Sequence, residues 1–564
     1  MSSYLTVLGV CAGIAVLAVA AGAQRPRLLT VAERSAFQET SRYQDVRAFV
    51  DALVSQTPRA RVEIFGRSEE GRDLPLLVVG DPPVPSPPGA ASSLPVVFVM
   101  ANIHAGEVEG KEAVLHLARR MTLGDLQPLL RSAVWLFAPI YNADGNERGN
   151  LENRFEQNGP IGGVGTRENA NGLDLNRDFM KLETSEARAL VAVLTRWNPD
   201  VVIDLHTTNG SHHAYHLTYA PGLNPNTDSR IVGYARGRLL PTVRDQMERR
   251  HRFRSYYYGN FARAESIDTE RDRLSDLEKG TRVWRTFDHR PRFGTNYMGL
   301  RNHIAVLSEA YSYLDFEGRV KVTEAFVEEI MRFVAANGSE VRNLVAAVNR
   351  SSSDGATTGA AGVSFELRPN PGPVEILAGT VETQVNPRSG KPMTAMVESS
   401  ATPTVMVDYG TFAATRVRQM PPAYVVRPRA DGLHQSIARL LEEHGVRVEE
   451  LAEPARISVD QFVIDEVRHA EQAFQGHHET SVTGRFDRRD VDVPAGSIVV
   501  RTSQSLGRLV FYLLEPESDD GLTTWNLLEE ALTAGGTHPV LKVRGGFPLP
   551  RTRPLPLLLD RDRR

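Results

Sequence analysis

Cysteine is almost absent from this sequence: Cys11 is the only one among 564 residues. It lies inside an apolar N-terminal run, residues 4–21, that has the character of a targeting segment. A mature chain without that segment would contain no thiol. Cysteine catalysis, zinc sites built on thiolates and disulfide bonds are therefore excluded for the mature protein.

Positive charge is not in excess either. Lysine and arginine number 65 against 69 aspartate and glutamate residues, for a formal net charge of -4 at pH 7. Nucleic acid is not expected as a partner, because such a protein would normally present a basic face. The hydrophobic share of 41% and the charged share of 24% are typical of a soluble globular protein. The length is sufficient for a large catalytic domain and smaller domains beside it.

The apolar N-terminal run ends in Ala21-Gly22-Ala23, and small residues at this spacing are typical of signal peptidase cleavage. We predict that residues 1–23 form a signal peptide, that the protein is secreted or periplasmic, and that no stable membrane span remains after cleavage. The segment before the run contains no lysine or arginine, and the run is close to the length that spans a bilayer. An uncleaved N-terminal anchor is the alternative.

Short apolar runs alternate with helical patterns through the first part of the chain. Strands are predicted at residues 62–66, 74–80, 97–101, 133–139, 201–205 and 303–308, and helices at 109–121, 184–197 and 322–334. This alternation predicts an α/β catalytic domain over residues 24–340, with a mixed central sheet and helices on both faces.

The remainder of the chain is less regular. Residues 349–362 are small and polar, which predicts a linker. Alternating stretches from residue 363 predict a smaller β unit, and the patterns after about residue 423 predict an α/β C-terminal module. The sequence assigns no role to residues 363–564.

Three of the predicted strands are followed by side chains that can bind a metal or move a proton. His104 and Glu107 follow one strand, His206 follows a second and Glu309 follows a third. In an open α/β sheet such residues converge where strands end. Catalytic zinc takes three nitrogen or oxygen ligands and leaves one position for water, which predicts His104, Glu107 and His206 as ligands. Glu309 is predicted as the general base, although a salt bridge to an arginine is the structural alternative.

A polar loop, residues 169–179, lies between these strands in the sequence. Its Arg177 can bind a carboxylate with two parallel hydrogen bonds. Pairing with the neighbouring Asp178 is the structural alternative.

Together, His104-x-x-Glu107, Asp174-x-Asn176-Arg177, His206 and Glu309 resemble the motifs of the zinc carboxypeptidase (carboxypeptidase A-like) family. The resemblance covers roughly residues 40 to 335, with the motifs in the family's order. The chain is most similar to bacterial-type secreted members with a C-terminal extension.

The resemblance implies a role for each matched residue. One Zn²⁺ per chain would be bound by His104, Glu107 and His206, and Glu309 would be the general base and then the proton donor to the leaving amine. Arg167 would polarise the scissile carbonyl, and Asp174 would orient the first zinc histidine. Substrate-binding roles are implied for Asn176, Arg177 and, as a pocket-lining residue, Tyr297.

Several positions remain open at this point. Arg154 competes with Arg167, and Tyr256, Tyr257 and Tyr258 compete with Tyr297 for the pocket tyrosine. The family pattern assigns no role to three further histidines, which would line the pocket or lie at a strand edge or surface: His212, His213 and His216.

The expected function is that of a metalloprotease: a secreted zinc metallocarboxypeptidase that uses a zinc-activated water and a glutamate base. Its partner would be a peptide or peptide-like substrate with a free C-terminal carboxylate. One alternative is a zinc amidohydrolase that deacylates N-acyl amino acids, because both substrates carry a carboxylate next to the scissile amide. A non-catalytic binding protein on the same fold is the other alternative, although no zinc ligand and no base is missing from the sequence.

Overall fold

The computed structural model describes residues 28–87, 93–266, 273–280, 283–355, 359–545 and 551–555. The predicted signal peptide, residues 1–23, lies outside these residues and stays a prediction. Across the described ranges, none of the helices combines the length and the apolar character that a membrane crossing requires.

Helices occur in both halves of the described chain. They are α1 (Val31–Arg34), α2 (Tyr43–Gln56), α3 (Glu109–Leu123), α4 (Ala143–Glu147), α5 (Ser185–Trp197), α6 (Ser229–Tyr234), α7 (Leu240–Gln246), α8 (Gly294–Leu300), α9 (Phe316–Ser353), α10 (Leu433–Glu443) and α11 (Gly507–Leu514). Thr30 caps α1, Thr184 caps α5 and Asp315 caps α9, each through a side-chain oxygen that accepts a backbone N–H.

Strands make up most of the remaining regular structure. They are β1 (Ala60–Arg67), β2 (Asp73–Val79), β3 (Val96–Ala101), β4 (Val134–Ala138), β5 (Val201–Thr208), β6 (Leu217–Pro221), β7 (Ser255–Tyr257), β8 (Asn260–Ala262), β9 (Arg273–Leu274), β10 (Val283–Arg285), β11 (Ile304–Tyr311), β12 (Ala360–Arg368), β13 (Pro373–Ala378), β14 (Val381–Val385), β15 (Pro392–Met396), β16 (Thr402–Tyr409), β17 (Thr411–Gln419), β18 (Ala423–Val426), β19 (Glu449–Leu451), β20 (Ala455–His469), β21 (Thr480–Val493), β22 (Ile498–Arg501), β23 (Thr537–Val543) and β24 (Thr552–Pro554).

The largest sheet has eight strands in the order β1-β2-β4-β3-β5-β11-β6-β7. Its centre is parallel, because β3 pairs in parallel with β4 and β5, and β5 with β11. Of its outer pairs, β1–β2, β2–β4 and β11–β6 are antiparallel, whereas the edge pair β6–β7 is parallel. The predicted mixed central sheet is therefore confirmed.

Both faces of this sheet are covered, as predicted. Val97 and Val99 of β3 pack in one core with residues of α2, α3 and α9, whereas Phe98 and Met100 pack in another with residues of α5 and α8. Successive side chains of a strand point to opposite faces, so a strand buried on both sides is a continuous apolar run. That is why the sequence at residues 97–101 shows no alternation.

The strands β5 and β11 are longer than predicted. β5 continues to Thr208 and β11 to Tyr311, so His206 and Glu309 lie within the strands and not after them. The two residues are register partners in the parallel pair. Backbone pairing thus extends through polar residues whose side chains line a cavity.

The predicted linker, residues 349–362, is wrong at both ends. Helix α9 continues to Ser353, and strand β12 begins at Ala360. Small polar residues favour loops, but Ser351 and Ser353 here donate their hydroxyls to carbonyls four residues earlier in the helix.

The predicted smaller β unit is not a separate body. Its strands β13 and β16 join β8, β9 and β10 in one five-stranded sheet, with β10 and β16 parallel. Alternating patterns identify strands but not their partners, so this shared sheet could not be foreseen.

The predicted α/β C-terminal module is present. It contains a seven-stranded sheet in the order β21-β20-β23-β18-β22-β19-β24, together with α10 and α11. Ile437 and Leu441 of α10 lie in the same core as Leu194 and Trp197 of α5. The module therefore packs directly on one face of the catalytic domain.

Candidate metal centre and active site

Glu107 lies between two histidines that come from different strands. Its Oε1 atom is 3.0 Å from Nδ1 of His104, and its Oε2 atom is 3.0 Å from Nδ1 of His206. All three side chains are buried, and one ligand atom from each lies within 4.8 Å of the others. The sequence-predicted ligand set is therefore assembled at one point, and we call these three residues the metal group.

The charge of Glu107 is strongly stabilised in this position. Burial alone would raise its pKa, but the positive charges of His104 and Arg154 and the hydrogen bonds of both histidines bring the pKa well below its ordinary value. A carboxylate that stays ionised is the form that binds a cation.

A second carboxylate lies behind each histidine. Asp174 Oδ1 is 3.1 Å from His104 Nε2, and Asp204 Oδ2 is 3.0 Å from His206 Nε2. Metal-binding histidines commonly direct their outer nitrogen at a carboxylate, which fixes the ring and leaves the other nitrogen for the metal. The donor set of two Nδ1 atoms and one carboxylate therefore fits zinc.

Sequence reasoning named Asp174 but missed Asp204. The signal was present, because Asp204 and His206 are two residues apart in one strand and so face the same side of the sheet. Without the strand pairing, the sequence does not distinguish an aspartate that orients a metal ligand from a structural buried aspartate.

Glu309 projects from β11 into the cavity beside this group. Burial raises its pKa to about 8, and the neighbouring negative charges of Glu107 and Asp204 act in the same direction, whereas His206 and Arg167 oppose it. A carboxyl group with such a pKa can accept a proton near neutral pH and release it again.

A cavity of about 140 Å³ opens onto these groups. Eight of the residues singled out from the sequence line it: His104, Glu107, Arg167, Asn176, Arg177, His206, Tyr258 and Glu309. The lining also includes residues that sequence reasoning did not find, namely Phe287, Phe293, Thr295 and Leu307. No local motif marks them, because they meet only through the fold.

The two candidate arginines occupy different places. Arg154 donates from Nη2 to Glu107 Oε1 at 2.7 Å, whereas Arg167 donates from Nε to Asp174 Oδ2 at 2.9 Å. Arg167 lines this cavity, whereas Arg154 lines a second cavity that adjoins it.

Asn176 and Arg177 lie on a 3-10 turn that Asp174 caps by accepting the backbone N–H of Asn176 at 2.8 Å. The side-chain oxygen of Asn176 accepts the backbone N–H of Gly294 at 2.8 Å. The Arg177 guanidinium stacks on the ring of Phe293, 3.8 Å from its centroid.

Arg177 Nη1 lies 3.8 Å from Asp174 Oδ2, whereas Asp178 Oδ1 lies 3.4 Å from Lys181 Nζ. Asp178 accepts hydrogen bonds from the backbone N–H and the hydroxyl of Thr184 at the start of α5. Its carboxylate stabilises a helix terminus.

The prediction that Tyr297 lines the pocket is wrong. Tyr297 is fully buried on α8, and its hydroxyl is 2.7 Å from His444 Nδ1 of the C-terminal module. The cavity is lined instead by Tyr258, one of the three alternatives. The helical turn directs residue 297 into the core between the catalytic domain and α10, which a sequence motif does not reveal.

The three unassigned histidines do not line the cavity. His212 Nδ1 lies 2.6 Å from Asp276, His213 packs on Tyr311 with ring centroids 4.2 Å apart, and His216 Nε2 lies 2.8 Å from Glu398. They are structural in this fold.

A second cavity of about 380 Å³ adjoins the first. The two share Glu107, Arg167, Thr207 and Asn209, so they meet at the metal group. Its outer wall contains Phe155, Glu156 and Tyr313. A ligand longer than the first cavity can therefore extend across the metal group.

A mixed α/β sheet that brings two histidines, a shared carboxylate and a second glutamate to one cavity defines a metal-dependent hydrolase. The chain contains a zinc carboxypeptidase domain, because residues 46–266 match the family model described as zinc carboxypeptidase. It is therefore a hydrolase of peptide bonds, with Zn²⁺ as cofactor. The matched segment contains His104, Glu107 and His206, whereas Glu309 lies beyond it.

Similar proteins carry carboxypeptidase names. Carboxypeptidase 2 of Trichophyton tonsurans is 23% identical over 500 residues, which are 85% of this chain and 81% of that protein. Carboxypeptidase Z of Mus musculus is 36% identical over 134 residues, which are 22% of this chain and 19% of that protein. A metallo-carboxypeptidase from Burkholderia cenocepacia, known from a crystal structure, has a TM-score of 0.38 at 18% identity, covering 53% of this chain and 70% of its own.

Proposed function

We propose that this protein is a secreted zinc metallocarboxypeptidase that removes the C-terminal residue of peptides. One observation carries the proposal: the metal group, Glu309 and the Asn176–Arg177 pair line the same cavity. A substrate whose free carboxylate contacts Arg177 would place its last peptide bond beside the metal group. We call Asn176 and Arg177 the carboxylate clamp.

His104, Glu107 and His206 would hold the zinc ion. When bound there, zinc would supply a Lewis acid and lower the pKa of a coordinated water. The carboxylates of Asp174 and Asp204 would keep the two imidazole rings oriented.

The other side chains have complementary tasks. Glu309 would take a proton from the attacking water and return it to the leaving amine. Arg167 would stabilise negative charge on the oxygen of the scissile carbonyl. Its hydrogen bond to Asp174 fixes the guanidinium at the edge of the cavity.

The second cavity favours peptides over N-acyl amino acids. The cavity of about 140 Å³ contains the clamp, and the adjoining cavity of about 380 Å³ lies across Glu107 and Arg167. The residues that precede the scissile bond would occupy this larger space. A short acyl group would leave most of it unused.

The test is a zinc measurement followed by a substrate panel of blocked dipeptides, longer peptides, their C-terminal amides and N-acyl amino acids. We expect one zinc per chain, hydrolysis of peptides with a free carboxylate and little hydrolysis of the amides. Turnover confined to N-acyl amino acids would replace the peptidase by an amidohydrolase. A protein without bound metal or turnover would be a binding protein.

Export is part of the proposal and rests on the N-terminal sequence alone. Expression of the full chain with a C-terminal tag should give an extracytoplasmic product that begins near Gln24. N-terminal sequencing of the purified product measures this directly, and a membrane-bound product that begins at Met1 would contradict it.

A further inference from the structure

The C-terminal module contacts the residue before the cavity-lining Phe293 through a buried carboxylate, Asp520. Its Oδ2 atom accepts the backbone N–H of Arg292 at 2.6 Å. Its Oδ1 atom accepts the Nε–H of Arg292 at 2.8 Å and the indole N–H of Trp525 at 2.9 Å. Asp520 therefore fixes both the backbone and the side chain of one catalytic-domain residue.

Arg292 is surrounded by the C-terminal module. Its guanidinium carbon is 4.4 Å from the ring centroid of Trp525 and 5.4 Å from that of Phe474, and it pairs with Glu479 as well as Asp520. Only 2% of the residue is exposed. A buried guanidinium requires such partners, because an unpaired charge would be strongly destabilising.

The two residues that follow Arg292 contact the carboxylate clamp. Phe293 supplies the ring on which the Arg177 guanidinium stacks at 3.8 Å. Gly294 donates its backbone N–H to the side-chain oxygen of Asn176 at 2.8 Å. The position of the clamp is thus linked through two adjacent residues to the contact between Arg292 and Asp520.

A second part of the module contacts Asp174, at the start of the 3-10 turn that carries Asn176 and Arg177. The long hairpin of β20 and β21 ends in residues 470–479, which we call the hairpin tip. In this tip, Gln475 Oε1 accepts the backbone N–H of Asp174 at 2.8 Å, and His477 Nε2 lies 2.7 Å from Glu183 Oε1. Asp174 is the capping residue of the turn that carries Asn176 and Arg177.

We propose that the C-terminal module is an integral part of the substrate-binding site, with Asp520 and Gln475 as positioning residues for the carboxylate clamp. The inference rests on the proposed role of Arg177 in binding the substrate carboxylate. Asp520 acts through Arg292 and Phe293, and Gln475 acts through Asp174. Neither residue needs to touch the substrate.

The first test is Asp520→Asn in the full-length, zinc-loaded enzyme. The amide nitrogen would face a backbone or guanidinium donor of Arg292, so one hydrogen bond is replaced by a repulsive contact. We expect KM for a free-carboxylate peptide to rise about tenfold, which corresponds to about 1.4 kcal/mol. The kcat and the zinc content should stay near those of the wild type.

The matched control is Glu515→Gln, another buried carboxylate of the same module. Glu515 accepts the hydroxyl of Tyr424 and pairs with Lys542, in a part of the module that does not contact Arg292. We expect this variant to lose thermal stability but to keep the wild-type KM. A KM that is unchanged in Asp520→Asn, or raised equally in both variants, would overturn the inference.

Gln475→Ala provides a test that does not depend on a buried charge. The side chain is only partly buried in the hairpin tip, so folding should be preserved. Loss of its hydrogen bond should raise KM about fivefold, in line with a typical hydrogen-bond contribution, whereas Glu471→Ala in the same tip should leave KM unchanged. Equal kinetics for the two variants would contradict the role of the tip.

The proposed carboxypeptidase function and the positioning role of Asp520 and Gln475 would be contradicted by different results. A wild-type enzyme that hydrolyses free-carboxylate peptides, with normal KM in Asp520→Asn and Gln475→Ala, would retain the proposed function and remove the positioning role. A zinc-loaded wild type without activity on such peptides would overturn both.

Discussion

Glu309 and His206 are register partners on the adjacent parallel strands β11 and β5. Because paired residues of neighbouring strands project to the same face, a candidate base is fixed beside a candidate metal ligand by backbone hydrogen bonds. The site therefore derives part of its geometry from the pairing of two central strands.

The first prediction concerns the base. Glu309→Gln should reduce kcat about 100-fold or more, because general acid–base catalysis typically contributes at least that factor. Zinc content should be unchanged, since Glu309 is not in the ligand set. Steady-state kinetics and metal analysis measure the two effects.

The control for this variant is Glu317→Gln, a glutamate in the first turn of α9 that pairs with Lys321. It should have wild-type kcat. Near-normal turnover of Glu309→Gln would remove Glu309 from the mechanism.

The second prediction concerns the carboxylate behind His206. Asp204→Asn should weaken zinc binding about 10- to 100-fold, the usual effect of losing such a partner. Turnover should recover when zinc is added in excess. Competition with a chelator measures the affinity.

Asp200→Asn is a suitable comparison for that experiment. Asp200 is also buried but lies at the other end of β5, where it accepts the backbone N–H of Val96 and pairs with Arg342. The Asp200→Asn variant should be less stable than the wild type but should bind zinc with the same affinity. A similar loss of zinc affinity in both variants would show that Asp204 acts only through folding.

The third prediction separates two tyrosines. Tyr297→Phe removes two buried hydrogen bonds of the hydroxyl, with His444 and with Arg301, and should lower the free energy of unfolding by about 1 to 3 kcal/mol, with kcat/KM unchanged. Tyr258→Ala should instead change KM, because Tyr258 lines the cavity. Urea unfolding and substrate kinetics on both variants give the comparison, and the reverse pattern would restore Tyr297 as the pocket residue.

The fourth prediction concerns pH. His116 on α3 lies 2.8 Å from Glu33 and 2.7 Å from Glu324, and joins α1, α3 and α9. Burial lowers its pKa, but the hydrogen bonds and charges of the two carboxylates outweigh burial and raise the pKa to about 9. The protonated imidazole is therefore the stabilising form.

Since the pKa of His116 is higher in the folded than in the unfolded chain, its contribution is fully present below about pH 6.5 and is lost as the pH rises through about 9. Unfolding by urea should show a decrease of about 2 kcal/mol over this range, and His116→Asn should flatten the curve. His434→Asn, which removes an imidazole that accepts the backbone N–H of Arg429, should leave the slope unchanged. An unaltered slope in His116→Asn would assign the pH dependence to other groups.

The sequence by itself predicted the candidate ligand set and the central sheet. Continuous apolar runs identify strands that are buried on both faces, and His104, Glu107, His206 and Glu309 are each close to the carboxyl end of such a run. Parallel strands bring those ends together, so local periodicity was enough to predict a common site.

Only the tertiary structure decided which side chains complete that site. The sequence favours Tyr297 as the pocket tyrosine and leaves Tyr258 as an alternative, but the fold places Tyr297 in the core and Tyr258 at the cavity. Asp520 and Arg292, which are in contact, are 228 residues apart in the sequence. Strand β16 likewise joins the sheet that contains β8, β9 and β10 of the catalytic domain. Periodicity specifies how a segment folds but not which distant segment it meets, because that choice depends on shape and charge complementarity between complete surfaces.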